Sequence, residues 1–230
     1  AAGWTLLFSL PLLVFAPSPA RALPWRVALW DGLAALASTV RSAAADAVLR
    51  RFLLARMLYT DGLTTLFAFG AIFAAGTFGM DAHDTLLLGL ALNVTAGCGA
   101  LAFALVEDRV GAKRVVVIAV GALTGLGILV LLAQSVQMFW IVALALGVFV
   151  GPAQSASRSL MARLAPVGSR NAHFGLYALS GRVTGFVGPL ALGIVTAASG
   201  SQRAGMAVIV VLLATGGLLL ATTRITLPSG

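Results

Sequence analysis

The sequence is 230 residues long, 60% hydrophobic and 10% charged, with a mean hydropathy of +1.03, whereas a soluble domain carries about a quarter charged residues; water is excluded as the solvent for most of the chain. A formal net charge of +8 would point to nucleic acid in a soluble protein, but the basic residues fall between apolar runs, which excludes that partner. The single cysteine, Cys98, excludes an internal disulfide framework and a multi-cysteine metal site.

Apolar runs cover residues 3 to 16, 52 to 79, 84 to 106, 115 to 133, 138 to 157, 173 to 198 and 204 to 222. Backbone polar groups in lipid must be paired within each segment, so the runs are predicted to be helices. The first is short for a span and no Met opens the chain; residues 1 to 16 are therefore read as the truncated end of a preceding transmembrane helix. A signal peptide is the rival reading, since Ala20-Arg21-Ala22 resembles a cleavage site. It would export Arg26, Arg41, Arg50 and Arg51, against the rule that basic loops stay in the cytoplasm.

Residues 17 to 51 are accordingly expected to be a cytoplasmic linker. Within it Trp30, Leu33, Leu36 or Ala37, Val40, Ala44 and Val48 recur at helical spacing, with Asp31, Ser38, Arg41 and Asp46 largely elsewhere. That pattern predicts an amphipathic helix in the membrane interface, with Trp25 and Trp30 at headgroup depth. Alternation from this point places the loops 107 to 114 and 158 to 172, and the tail 223 to 230, in the cytoplasm. Twelve of the fifteen Lys and Arg then lie inside and only Arg203 lies outside, with Arg56 and Arg182 within spans. The expected location is a bacterial inner (plasma) membrane, crossed several times.

Charges near the bilayer centre are costly and need a partner, an aqueous cavity or a task. Asp61 lies about ten residues into its helix, roughly 15 Å at 1.5 Å per residue, and Gly62 beside it would loosen the helix locally. Arg182 and Asn93 reach a similar depth on two other helices. Two readings stay open. In one, these groups face a water-filled cavity, Asp61 binding a proton or cation and Arg182 serving as its partner or as an anchor for an anionic substrate group. In the other, an Asp61–Arg182 pair, or Arg56 neutralising Asp61, only fixes the packing. Arg56 by itself reads as a snorkelling side chain.

The runs 115 to 133 and 204 to 222 carry little polar beyond Thr124 and Thr215 and are expected to face lipid, the other four spans lining the interior. Gly121 with Gly125, and Gly181 with Gly185, permit close helix approach. Gly151-Pro152 and Gly188-Pro189 are expected to interrupt two helices, either as gating hinges or as static kinks. No metalloprotease, nucleophile-elbow or paired intramembrane carboxylate pattern occurs in the sequence, which argues against an enzyme, and neither cofactor nor metal is expected.

The loop Glu107-Asp108-Arg109-Val110-Gly111-Ala112-Lys113-Arg114 resembles the D-R-x-G-x-[KR]-[KR] signature of the major facilitator superfamily, which lies in the cytoplasmic loop after the second helix of each half. The family's glycine four residues before the Asp is Ala104 here. The resemblance implies a gating clamp formed by Asp108, Arg109, Gly111, Lys113 and Arg114. Tyr59-Thr60-Asp61-Gly62, the stretch from Gly151-Pro152 to Ser159, and Phe174 to Tyr177 followed by Ser180-Gly181-Arg182 and Gly188-Pro189 resemble the bacterial relatives of the vacuolar amino-acid effluxers associated with autophagy. The implied fold is an all-α membrane protein: a six-helix C-terminal bundle over 52 to 222, built as two inverted three-helix repeats, 52 to 133 and 138 to 222. The implied function is alternating-access transport of a small solute, proton-coupled, with amino-acid or other small-metabolite efflux by analogy. The N-terminal half of the same transporter, the lipid bilayer and the solute are its partners, and Tyr59, Asp61, Asn93 and Arg182 are the candidate substrate or proton site. A non-transporting scaffold or a channel subunit is the competing class.

Overall fold

A computed structural model describes residues 8–10 and 25–224. Residues 8–10 are helical; the rest of the expected preceding span, and the expected tail from 225 onward, lie outside the described residues. The chain divides into two compact units, Ala1–Ser38 and Thr39–Gly230. Helix α1 (Trp25–Ala45) contains that boundary. Trp30, Ala37, Val40 and Ala44 are exposed, so these members of the predicted apolar stripe are not consumed by packing.

Asp46 ends the amphipathic helix earlier than expected. Its carboxylate accepts the backbone N–H groups of Val48 and Leu49 at 2.8 and 3.1 Å, satisfying two of the donors a helix start leaves orphaned. Asp46 is therefore the N-cap of α2 (Ala47–Phe78), not a member of a polar face, and the first full span begins at 47 instead of 52. The remaining helices are α3 (Ala82–Val110), α4 (Ala112–Leu132), α5 (Val136–Leu164), α6 (Arg170–Val183), α7 (Val187–Ser199) and α8 (Gln202–Thr222). With α6 and α7 taken as one interrupted segment, six segments among the described residues are long and apolar enough to cross a membrane. The all-α membrane bundle is confirmed.

Helix α8 packs along α2 and also touches α4 and α7, while α5 packs along both α3 and α4. The inverted repeat is visible in two matching polar contacts. Lys113, the second residue of α4, donates through Nζ to the carbonyls of Ala221 and Thr223 at the end of α8, at 3.2 and 2.6 Å. Arg203, the second residue of α8, donates to the carbonyls of Leu131 and Ala133 at the end of α4, at 2.5 and 2.6 Å. The pairs 113 and 203, 131 and 221, and 133 and 223 share one offset of 90. Each helix thus begins with a cation that satisfies the orphaned last carbonyls of its antiparallel partner and complements the negative end of that partner's dipole.

Helices α4 and α8 are not simply the lipid-facing pair. Val115, Val116, Ala119, Val120 and Leu123 are buried on α4, and Met206, Ile209, Leu213, Gly216 and Leu220 on α8, whereas α3 buries only Leu88 and Gly99. A lack of polar side chains does not say whether apolar neighbours or lipid tails cover a helix.

The close helix approaches are also placed differently from the expectation. A Cβ at Gly121 or Gly125 would meet nothing within 4 Å, whereas Gly216 lies against the backbone of Ala55 and Tyr59, at 2.8 Å from a Cβ position to each. Gly62 does not loosen α2, which is continuous; it faces Leu212 and Leu213 of α8 at 3.3 Å. Pro152 lies inside an unbroken α5. A proline cannot bond the carbonyl four residues earlier and its ring pushes that group aside. The freed carbonyl belongs to Val148, and Gly99 of α3 sits directly over it, where a Cβ would overlap it. Gly99 on the neighbouring helix thus leaves room for that carbonyl.

The real interruption falls at Thr184–Gly185–Phe186, ahead of Gly188-Pro189. Pro189 occupies the first turn of α7, where a missing N–H is harmless. Proline here helps to start a helix after a break made upstream.

Candidate functional site

Asp61 is 2% exposed and faces the break. Its Oδ2 accepts the backbone N–H of Gly188 at 2.8 Å, which places a carboxylate at the positive N-terminal end of α7 in the interior of the bundle. Thr65 donates to the Asp61 carbonyl at 2.8 Å. Gly188 is needed for the crossing, since a Cβ there would overlap the Thr65 hydroxyl and lie 3.1 Å from Asp61 Oδ1. Asp61 Oδ1 and the Thr184 hydroxyl have no hydrogen-bond partner among the described residues. The buried carboxylate therefore has one oxygen bonded and one without a partner among the described residues.

The other polar centre is a separate crevice of about 500 Å³ between α2, α5 and α6. Helix α2 contributes Arg56, Tyr59, Thr60 and Thr64, α5 contributes Gln154, Ser157 and Arg158, and α6 contributes Phe174, Tyr177 and Arg182. Tyr59 and Ser157 are buried in its wall and bonded at 2.6 Å. Ser157 spends its hydrogen on the Ala153 carbonyl at 2.5 Å, so the Tyr59 phenol is the donor between the two. Arg56 is not a snorkelling side chain. It donates to the Tyr177 carbonyl at 2.6 Å and the Ser180 hydroxyl at 2.7 Å, and its guanidinium lies 3.5 Å from the Tyr177 ring centroid. Gly181 gives it room, with a Cβ position only 2.8 Å from an Arg56 nitrogen; this glycine accommodates a side chain, and a Cβ at Gly185 would meet only the carbonyls of Arg182 and Gly181, at 3.5 and 3.9 Å.

The expected convergence of Asp61, Arg182 and Asn93 on one cavity does not occur. Tyr59 and Asp61 are two residues apart, about 200° around a helix at 3.6 residues per turn, so one faces the crevice and the other faces α7. Arg182 is exposed at the crevice and forms no ion pair with Asp61; the ion pair found among the described residues is His83–Asp84 at 3.9 Å. Arg56, five residues before Asp61, points to α6 and does not neutralise it either. Asn93 bonds the Gly89 carbonyl of its own helix at 2.8 Å and lines a different, mostly apolar cavity of about 120 Å³ with Leu88, Phe139 and Met206.

The signature segment makes a turn of one residue. Gly111 sits between α3 and α4 at φ 87° and ψ 149°, a region essentially reserved for glycine. Asp108, Arg109 and Arg114 are exposed, and among the described residues none of them forms an ion pair. Only Lys113 reaches a helix end, that of α8. The implied gating clamp is thus not assembled within this part of the chain.

Sequence reasoning passed over Thr60, Gln154, Ser157 and Arg158 as site residues, and took Tyr177 only as part of a resembling stretch. A signal was present: 56, 59, 60 and 63, then 154, 157 and 158, then 174, 177, 178, 181 and 182 are each spaced by three and four, placing each set on one helical face.

The profile of the family described as vacuole effluxer Atg22 like matches residues 1–226. An uncharacterized MFS-type transporter, YxiO of Bacillus subtilis, is 23% identical over 170 residues, covering 74% of this chain and 40% of that protein. Autophagy-related protein 22 of Cryptococcus neoformans is 25% identical over 178 residues, 70% of this chain and 31% of that protein. The protein of the same name from Yarrowia lipolytica is 24% identical over 242 residues, 92% and 41% respectively. The chain therefore spans about a third to two-fifths of the length of these relatives.

Proposed function

Because the chain belongs to the vacuole effluxer Atg22-like family of major facilitator transporters, we propose that it is one half of a secondary transporter for a small organic solute, with the α2–α5–α6 crevice as its solute surface and Asp61 as the proton-coupling group. Transmembrane transport as such follows from the family. The single observation behind the coupling role is the buried Asp61 carboxylate, one oxygen on the N-terminus of α7 and the other free.

In this reading α6 and α7 respond to the charge on Asp61. The ionised carboxylate holds the first turn of α7 against α2 through the Gly188 N–H. Protonation weakens that charge-assisted bond and frees the break at 184 to 186 to change its angle. Rocking of this half against an N-terminal half would then expose the crevice to alternate sides. The bias of Lys and Arg supports a cytoplasmic side for the loop at 107 to 114, and the bacterial relative supports a plasma-membrane location. Efflux as the direction rests on the family's description, and amino acids or other small metabolites as cargo rest on the resemblance to the vacuolar amino-acid effluxers.

The test is uptake and efflux of a mixed metabolite panel in vesicles containing the transporter with both halves, with and without a pH gradient, for wild type and Asp61→Asn. An asparagine carbonyl still accepts from Gly188 N–H, so insertion and folding should persist. The expected result is solute movement that follows the gradient in wild type and loses that coupling in the variant. Equal coupling in both proteins would reduce Asp61 to a helix cap.

A further inference from the structure

Resting on the reading of the crevice as the solute site, we propose that it recognises an anionic group of its solute, a carboxylate or a phosphate, held between Arg158 and Arg182, with the organic body of the solute against Phe174, Phe67 and Leu63.

Three guanidinium groups, Arg56, Arg158 and Arg182, line one cavity, and no acidic residue lines it. Asp61, the acid that lies deep within a span, is turned to α7. Three like charges with no acidic side chain among them create a positive potential that calls for a counter-charge. Arg56 is anchored through Nη1 to the Tyr177 carbonyl and the Ser180 hydroxyl, with its guanidinium over the Tyr177 ring, so it acts as a fixed source of field. Arg158 and Arg182 are exposed and line the cavity, and their guanidinium groups make no hydrogen bond or ion pair with the described residues. Each therefore keeps a planar fork of donors free for a two-oxygen anion. The same potential repels a solute whose only charge is positive. Aromatic and aliphatic lining beside the arginines gives an organic anion an advantage over a bare inorganic one.

The experiment measures binding to the detergent-purified transporter with both halves, by equilibrium dialysis of radiolabelled 3-phenylpropionate. Unlabelled phenyl phosphate, 3-phenylpropionamide, 2-phenylethylamine and a short-chain phosphatidic acid are the competitors. The expected outcome is saturable binding displaced by phenyl phosphate, with the amide and the amine at least tenfold weaker. Arg158→Gln and Arg182→Gln should each weaken binding at least tenfold, and the corresponding lysine variants should recover part of it. Arg163→Gln, on α5 outside the crevice, should bind as wild type. Equal competition by acid and amide, or wild-type affinity in both glutamine variants, overturns the proposal. So does displacement by phosphatidic acid alone, which would assign the arginines to a lipid headgroup, and so does the absence of binding by either soluble anion. The flux panel separates this failure from a wider one: a neutral solute that still moves removes only the anion recognition, whereas no solute movement removes the transport role of the crevice.

Discussion

The reciprocal caps between α4 and α8 make a quantitative prediction. Lys113→Met removes two charge-assisted bonds to the Ala221 and Thr223 carbonyls, of which only the 2.6 Å contact is short. Bonds to charged groups contribute about 1.5–3 kcal/mol. Because Lys113 is partly exposed and water can replace it, about 1 kcal/mol is the appropriate size after screening. Arg203→Met removes two short bonds, to Leu131 and Ala133, from a half-buried guanidinium that also lies 5.8 Å from the Phe78 ring; about 2 kcal/mol is expected. At roughly 2–4 °C per kcal/mol for a chain of this size, the melting temperature should fall by about 3 °C and about 6 °C. The two sites sit at opposite ends of helices 21 residues long, about 30 Å apart at 1.5 Å per residue, so the double variant should show the sum. Fluorescence-detected size exclusion after heating would read this directly in detergent. A double variant that melts with the wild type would refute the structural role. A Lys113 variant that alters transport rate with no loss of stability would restore the gating role implied by the signature.

Three further outcomes test the local geometry. Gly111→Ala should destabilise by about 1–3 kcal/mol, because a Cβ is strained at that backbone conformation; a melting temperature equal to wild type would contradict the positive φ. Gly99→Ala drives a Cβ into the Val148 carbonyl and should sharply lower the folded yield, while Gly97→Ala, with nothing within 4 Å, should be tolerated or gain a few tenths of a kcal/mol from helix propensity. Equal yields of the two would exclude the close α3–α5 contact. Tyr59→Phe should cost about 1 kcal/mol, the net worth of one hydrogen bond, since Ser157 keeps its bond to Ala153; a change well beyond 3 kcal/mol in thermal unfolding would mean that the phenol does more than join α2 to α5.

Much of the architecture was legible without coordinates. Runs of apolar residues about 20 long can only be helices in lipid, because the backbone has nowhere else to bond, and the six runs from residue 52 onward survive in order as α2 to α8, with α6 and α7 sharing one run. The charge bias of the loops is a property of the sequence and was readable directly, but the loop expected at 107 to 114 shrinks in the structure to a turn of one residue at Gly111. Boundaries set by a single side chain were less so: Asp46 looked like part of a polar face and acts as a cap, since which backbone N–H a carboxylate meets depends on where the chain turns. The depth of Asp61 and Arg182 could be counted along the helices, but their azimuth relative to neighbouring helices could not. Only packing decided that Asp61 faces Gly188 while Arg182 faces the crevice with Arg56, Tyr59 and Arg158. Similarly, Pro152 and Pro189 carry the same local signal, and the tertiary environment separated them. Gly99 accommodates the first inside an unbroken helix, and Asp61 caps the helix that begins just before the second.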